Sequence, residues 1–346
     1  MRNGTLAVVT LLGILVTQAR ATQLALTDTL SLRAHTYFLS RDLLRGRATG
    51  SAGSHIAAQY IVSVCRSLGL EALGEDYLQP IPLVELPADT EGRRVVLDPM
   101  DTVAAGRKLN AANVSCLLRG SAAPDWVIAF AAHYDHLGVG APDSTGDSIY
   151  NGFSDNAAGV AMLLAIAQEF TTSPPRHSVL FMFLTGEELG LLGARYLAAN
   201  PVWPNERILG LINLDAGAPP GRPISWEIVG GDETEPGRVA MRIAASFGWE
   251  ARASHIRPNS DYYAFHQVGV PSVFIIPGRG PYEGMSKDDS ERLFRQWNQY
   301  HVPGDEWHAN FPFSGLQRYA DYALRVARGL DELQSQNPPT GPGGME

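Results

Sequence analysis

In the stretch "FMFLTGEELGLLGARYL" (Phe181–Leu197) an apolar run meets two adjacent carboxylates, Glu187 and Glu188, before another apolar run begins. Unpaired charge at a buried strand end is costly, so these acids need water or a cation. The same junction recurs elsewhere. "VIAFAA" is followed by His133 and Asp135, "LGLIN" by Asp215, and the loop "NGFSDNAAGV" carries Asp155. One acid in such a place is an ordinary helix cap. Three successive run ends bearing His/Asp, Glu/Glu and Asp, with a fourth acid between them, would repel one another without a counter-charge. Carboxylates with imidazole suit zinc, and several carboxylates in one place suit two ions sharing a bridge.

These residues need elements that deliver them to one place. "DWVIAFAAHYD", "HSVLFMFL" and "RILGLINLD" are continuous apolar strands, and "NAAGVAMLLAIAQEF" and "EELGLLGARYLAAN" are helices between them. Strand, helix, strand, helix, strand predicts a largely parallel sheet covered on both faces, a three-layer α/β sandwich. In such a sheet ligands bind at the carboxyl ends of the strands, where the acids and His133 fall. Upstream, "LTDTLSLRAHTYFLSRDLLRGR" and "GSAGSHIAAQYIVSVCRSLGL" have helical spacing, the second ending at Gly69. Downstream, "ISWEIVG" and "PSVFIIP" are strands around the helix "PGRVAMRIAASFG", and "SGLQRYADYALRVARGLDEL" is a long closing helix. No composition break divides residues 22–335, which are expected to form a single domain; 336–346 is a Pro/Gly-rich, disordered tail. Truncation after Leu333 is expected to leave the fold intact.

The motifs "AHYDHLG", "NGFSDNAAGV", "TGEELGLLGARYL", "NLD" and "YHVPGDE", with "LLRGRATGSAG" and "SDYYAFHQVGVPSVFI", resemble in this order those of metallopeptidase family twenty-eight, the co-catalytic dizinc aminopeptidases. The likeness spans nearly the whole chain after residue 21. It implies a zinc-peptidase type of mixed, mainly parallel sheet and two zinc ions. One zinc would be held by His133, Asp155 and Asp215, the other by Asp155, Glu188 and His301, with Asp155 bridging. Asp135 would hold the free ring nitrogen of His133. Glu187 would be the general base towards a water held between the metals, and the peptide bond after Asp155 would be cis. His136, His266 and His308 are read as structural.

The resemblance implies hydrolysis of the N-terminal bond of peptides with a free amine. Tyr262 or Tyr263 is a candidate donor to the oxyanion. The chain departs from many relatives in having Tyr262 where they have His, and Ala216 where they have Met after the metal-binding Asp. Residues 80–125 are also too few for the inserted domain many secreted relatives carry. Rival readings are a glutaminyl cyclase-like acyltransferase with one zinc, a carboxypeptidase-type member using Arg279 for a carboxylate, and a receptor-like relative without metal. A serine hydrolase would need a G-x-S-x-G elbow, which the sequence lacks.

Composition bounds the rest. At 346 residues with 45% hydrophobic residues, the chain can bury a large core, and a net charge of −9 with scattered basic residues argues against a nucleic-acid partner. Arg2, the apolar Leu6–Val16 and Ala19-Arg20-Ala21 read as a cleavable signal peptide over 1–21, so export to the periplasm or medium is expected, with no membrane partner after cleavage. Cys65 and Cys116, the two cysteines, are equally readable as buried thiols or as one bridge.

Overall fold

Strand β4 (Ala123–His133) shows how the core is divided. Its odd and even residues separate, with Val127, Ala129 and Ala131 in one apolar cluster and Ile128, Phe130 and Ala132 in another. That is the period-two alternation of a strand buried on both faces. The computed structural model describes residues 26–87, 94–103, 106–215 and 217–336. The expected signal peptide (1–21), Ala216 and all of the expected tail except Gln336 lie outside the described residues.

In chain order the elements are α1 (Thr29–Leu39), α2 (Ala52–Ser67), β1 (Glu71–Glu85), β2 (Val95–Leu97), β3 (Arg107–Leu118), β4, β5 (Gly138–Val139), β6 (Ile149–Tyr150), α3 (Ala158–Thr172), β7 (His177–Leu184) and α4 (Leu192–Ala199). Then come β8 (Ile208–Asn213), β9 (Ser225–Val229), α5 (Glu235–Ser246), β10 (Glu250–Ser254), α6 (Tyr262–Gln267), β11 (Ser272–Pro277), α7 (Lys287–Trp297) and α8 (Ser314–Gln336). A nine-stranded sheet runs β10-β9-β11-β8-β4-β7-β3-β1-β2. Its four central strands, β11, β8, β4 and β7, are mutually parallel, and antiparallel pairings flank them. The fold is therefore the expected mixed α/β sandwich. Residues of α1, α3 and α8 such as Leu32, Val160 and Leu324 pack on the Phe130 face, and Leu197 of α4 and Phe265 of α6 on the Ala129 face.

Two parts differ from the sequence reading. Glu71–Glu85 and Arg107–Leu118, to which the sequence reading assigned no element, form a long antiparallel pair, β1 with β3, that extends the sheet. The helix expected from Glu187 begins five residues later, at Leu192, after Gly186, Gly190 and Leu191 take left-handed backbone angles (φ 75°, 96° and 61°). Glu187 and Glu188 therefore lie in a turn, free of helical geometry. Cys65 of α2 and Cys116 of β3 are fully buried free thiols with sulfurs 2.8 Å apart.

Candidate metal centre

The register of the parallel strands assembles the site. His133 ends β4 opposite Leu184, the last residue of β7, and Ala131 lies opposite Asn213, the last residue of β8. Three residues beyond Leu184 comes Glu187, and two beyond Asn213 comes Asp215, so side chains far apart in sequence leave the sheet on one edge.

His133 is buried, and its two ring nitrogens face different partners. Nδ1 lies 3.1 Å from the Asp135 carbonyl oxygen and 3.6 Å from Asp135 Oδ1. Nε2 lies 3.0 Å from Asp215 Oδ1 and 3.2 Å from Asp155 Oδ1. Asp135 is itself anchored, its Oδ2 accepting from Thr49 Oγ1 at 2.7 Å and its Oδ1 from the Glu187 amide at 3.3 Å. The other oxygen of Asp155 turns to a second group. Oδ2 is 3.1 Å from His301 Nε2, which is also 3.3 Å from Glu188 Oε2.

The donor separations test whether cations fit. Ligands about 2.0–2.1 Å from one tetrahedral zinc stand roughly 3.3 Å from each other. The separations from His133 Nε2 to Asp155 and Asp215, and from His301 Nε2 to Asp155 and Glu188, are 3.0–3.3 Å and match that spacing. Imidazole and carboxylate oxygen are also zinc's usual ligands, so the residues fit two zinc ions sharing Asp155.

The charges strain against one another in the protein alone. Burial, and then the carboxylates of Asp215, Asp261 and Asp135, push the Glu187 carboxyl up to about 10 against the opposing pull of His133. Burial first, and then Asp215, Asp135 and Glu188, raise Asp261 well above the usual range against the pull of His133, and among the described residues neither of its oxygens has a hydrogen-bond partner. Burial opposes ionisation of Asp155 too, but hydrogen bonds from His133 and His301 hold it far below. The hydrogen bond to Asp155 raises His301 to about 8.

A buried layer supports these groups. Asp305 accepts the amides of Ser154 (2.8 Å) and Asp155 (3.1 Å), fixing the backbone that carries the shared acid. Ser260 donates to Asp215 Oδ2, and its Oγ accepts from the side-chain Nδ2 of Asn213 at 2.8 Å. The peptide bond Asp155–Asn156 is cis, as expected. Arg47 spends its guanidinium on backbone carbonyls alone: Tyr134 (2.9 Å), Asn151 (2.6 Å), Gly152 (2.9 Å) and Leu39. In the sequence, Asp305, Ser260 and Arg47 are marked only by their place inside the quoted motifs.

Two expectations change. His136, set aside as structural, faces the acids, with Nδ1 2.7 Å from Glu188 Oε1 and 3.8 Å from Asp155 Oδ2. Tyr262 is fully buried, and its hydroxyl is committed to the Arg257 backbone and Asn259, so it is an anchor of its own loop and not a free donor. Tyr263 is half-buried against the Ala129-side cluster. Arg279 lies over the ring of Phe294, 5.2 Å from its centroid. His308 packs on Trp297, as its structural reading required.

Comparison with known proteins gives three kinds of likeness. The profile of peptidase family M28 matches residues 113–327. A probable zinc metalloprotease of Pyrenophora teres f. teres is 29% identical over 193 residues, 46% of this chain and 41% of that protein. A vacuolar membrane protease of Candida albicans is 24% identical over 197 residues, 56% of this chain and 22% of that protein. The chain thus spans less than half the length of these curated relatives. Among solved structures, an aminopeptidase from Aneurinibacillus sp. strain AM-1 superposes with TM-score 0.61 at 16% identity, covering 88% of this chain and 94% of that one. A Porphyromonas gingivalis glutaminyl cyclase gives 0.62 at 19% identity, covering 89% and 99%. At such identities these two share the fold.

Proposed function

The chain belongs to peptidase family M28, a zinc metallopeptidase family, and from that premise we propose that it is an aminopeptidase holding two zinc ions. It hydrolyses the N-terminal bond of peptides with a free amine. The observation that carries this is the division of Asp155, whose Oδ1 faces His133 and whose Oδ2 faces His301. A carboxylate split between two donor groups is what a bridge between two cations requires. His133, Asp155 and Asp215 would hold one zinc; Asp155, Glu188 and His301 would hold the other.

Zinc bound there supplies Lewis acidity, polarising a carbonyl and making water acidic near neutral pH. Glu187 belongs to neither donor group. Its carboxylate takes the proton of the attacking water and passes it to the nitrogen of the departing amine. That role needs the ionised form, and cations among the surrounding acids would oppose the burial and the repulsion that together push Glu187 up. Asp135 keeps the His133 ring turned so that Nε2 faces inward. The surplus of carboxylates attracts the substrate's ammonium group, which favours an N-terminus over a C-terminal carboxylate. The segment 1–21 supports export, and among the described residues no helix is long and apolar enough to cross a membrane.

The test is a panel of aminoacyl reporters beside controls with blocked amines, with and without chelator. Free-amine reporters should be cleaved, blocked ones spared, and chelation should abolish turnover until zinc is returned. Cleavage of blocked peptides excludes an aminopeptidase; ring closure of N-terminal glutamine without cleavage makes the protein a cyclase.

A further inference from the structure

His136 is the buried imidazole for which the two-zinc assignment has no use. Its backbone is anchored and its ring is packed against Gly152. The His136 amide donates to the Arg47 carbonyl at 3.3 Å, and the residue bridges to Ala48. Gly152, at φ 59°, lies flat against the ring; a Cβ there would come within 2.6 Å of His136 Cγ. Among the described residues only one nitrogen has a partner, since Nδ1 meets Glu188 while Nε2 is buried without a hydrogen bond. The proton therefore belongs on Nδ1, where it has an acceptor.

The distances separate a metal ligand from a hydrogen-bond donor. Donors around one zinc stand roughly 3.3 Å apart. His301 keeps that distance from Glu188 Oε2, whereas His136 Nδ1 lies only 2.7 Å from Oε1, the span of a charge-assisted hydrogen bond. The two histidines thus take different oxygens of one carboxylate. We propose that His136 is a positioning residue of the second zinc seat: its Nδ1–H holds Oε1 of Glu188 and so presents Oε2 to the seat formed with Asp155 and His301. This rests on the two-zinc assignment above.

The experiment is a zinc titration of the metal-free full chain against a chromophoric chelator, resolving two binding steps, for wild type and His136→Ala, His136→Asn and His136→Gln. Melting of the metal-free proteins is measured alongside. Loss of a partner that orients a ligand typically weakens metal binding about 10–100-fold. His136→Ala should show that loss in one step only, with the other unchanged. His136→Asn should recover most of it, because its amide nitrogen falls near the place of Nδ1. His136→Gln, whose amide reaches further along the ring, should not. Two unchanged steps in His136→Ala overturn the positioning role and leave the two-zinc assignment standing. Equal weakening in His136→Asn and His136→Ala overturns it in favour of direct ligation, and a fall in both steps together with metal-free melting makes His136 a packing residue. A single step in wild type removes the second seat, and with it both proposals.

Discussion

His133 and His301 offer a nitrogen to the same carboxylate and are held in opposite ways. His133 ends a central strand, paired on one side with β7 and buried to 1% exposure. His301 lies in the connection between α7 and α8, with its side chain 55% exposed and its backbone at φ 55°, a left-handed angle that a non-glycine residue adopts at a cost. One seat is thus built into the sheet, and the other is completed by a loop. A metal in the first would add to a structure already fixed, whereas one in the second would have a segment to gather.

The largest expected effect concerns the acid that neither seat uses. Glu187→Gln keeps the size of the side chain and removes the proton acceptor, so turnover should fall roughly 10²–10⁴-fold. Elemental analysis should still find both zinc ions; zinc lost from this variant while Glu188→Gln keeps it would mean that the roles of the neighbours are reversed.

A smaller effect separates the seats themselves. His133→Ala opens a cavity beneath Asp155 and Asp215, so the metal-free protein should lose about 2–5 kcal/mol, the usual cost of truncating a large buried side chain. His301→Ala should leave metal-free stability within about 0.5 kcal/mol and weaken only one zinc step. Denaturant melts without metal decide this; equal destabilisation would show that the loop is as integral as the strand end.

The smallest effect lies away from both seats. Deleting residues 334–346 removes the last described residues of α8, 334–336, whose one described side-chain bond is Ser335 to its own turn, and should move stability by less than about 0.5 kcal/mol. A larger loss would extend the sheet-borne region to the end of α8.

The sheet-borne seat was legible in the sequence because a strand buried on both faces is a continuous apolar run, and the residue that ends the run must face the ligand edge. Legibility faded where the chain leaves that rule. β1 is broken by Gly74, Pro80 and Pro82 and carries a bulge between Leu73 and Leu78, so it shows no period of two. The late start of α4 turns on left-handed angles at Gly190 and Leu191 that spacing does not encode. His136 stands one residue past a strand-end motif, and nothing in its position says which way a loop side chain faces. Asp305 looks like a turn residue after His301, yet it serves amides 150 positions away.

Arg47 sets a lower limit on how far this protein can be dissected. The family profile begins at residue 113, as though everything needed for the site lay beyond it. Yet one guanidinium ties the end of α1, at Leu39, to the Tyr134 turn and to the backbone of Asn151 and Gly152 just ahead of the shared acid. A lysine has neither the reach nor the number of donors to serve four carbonyls at once. The catalytic module, taken as a piece of chain that could be moved, fused or inherited whole, must therefore include α1, and a boundary drawn at the start of the matched segment would cut away the floor beneath the proposed metal site.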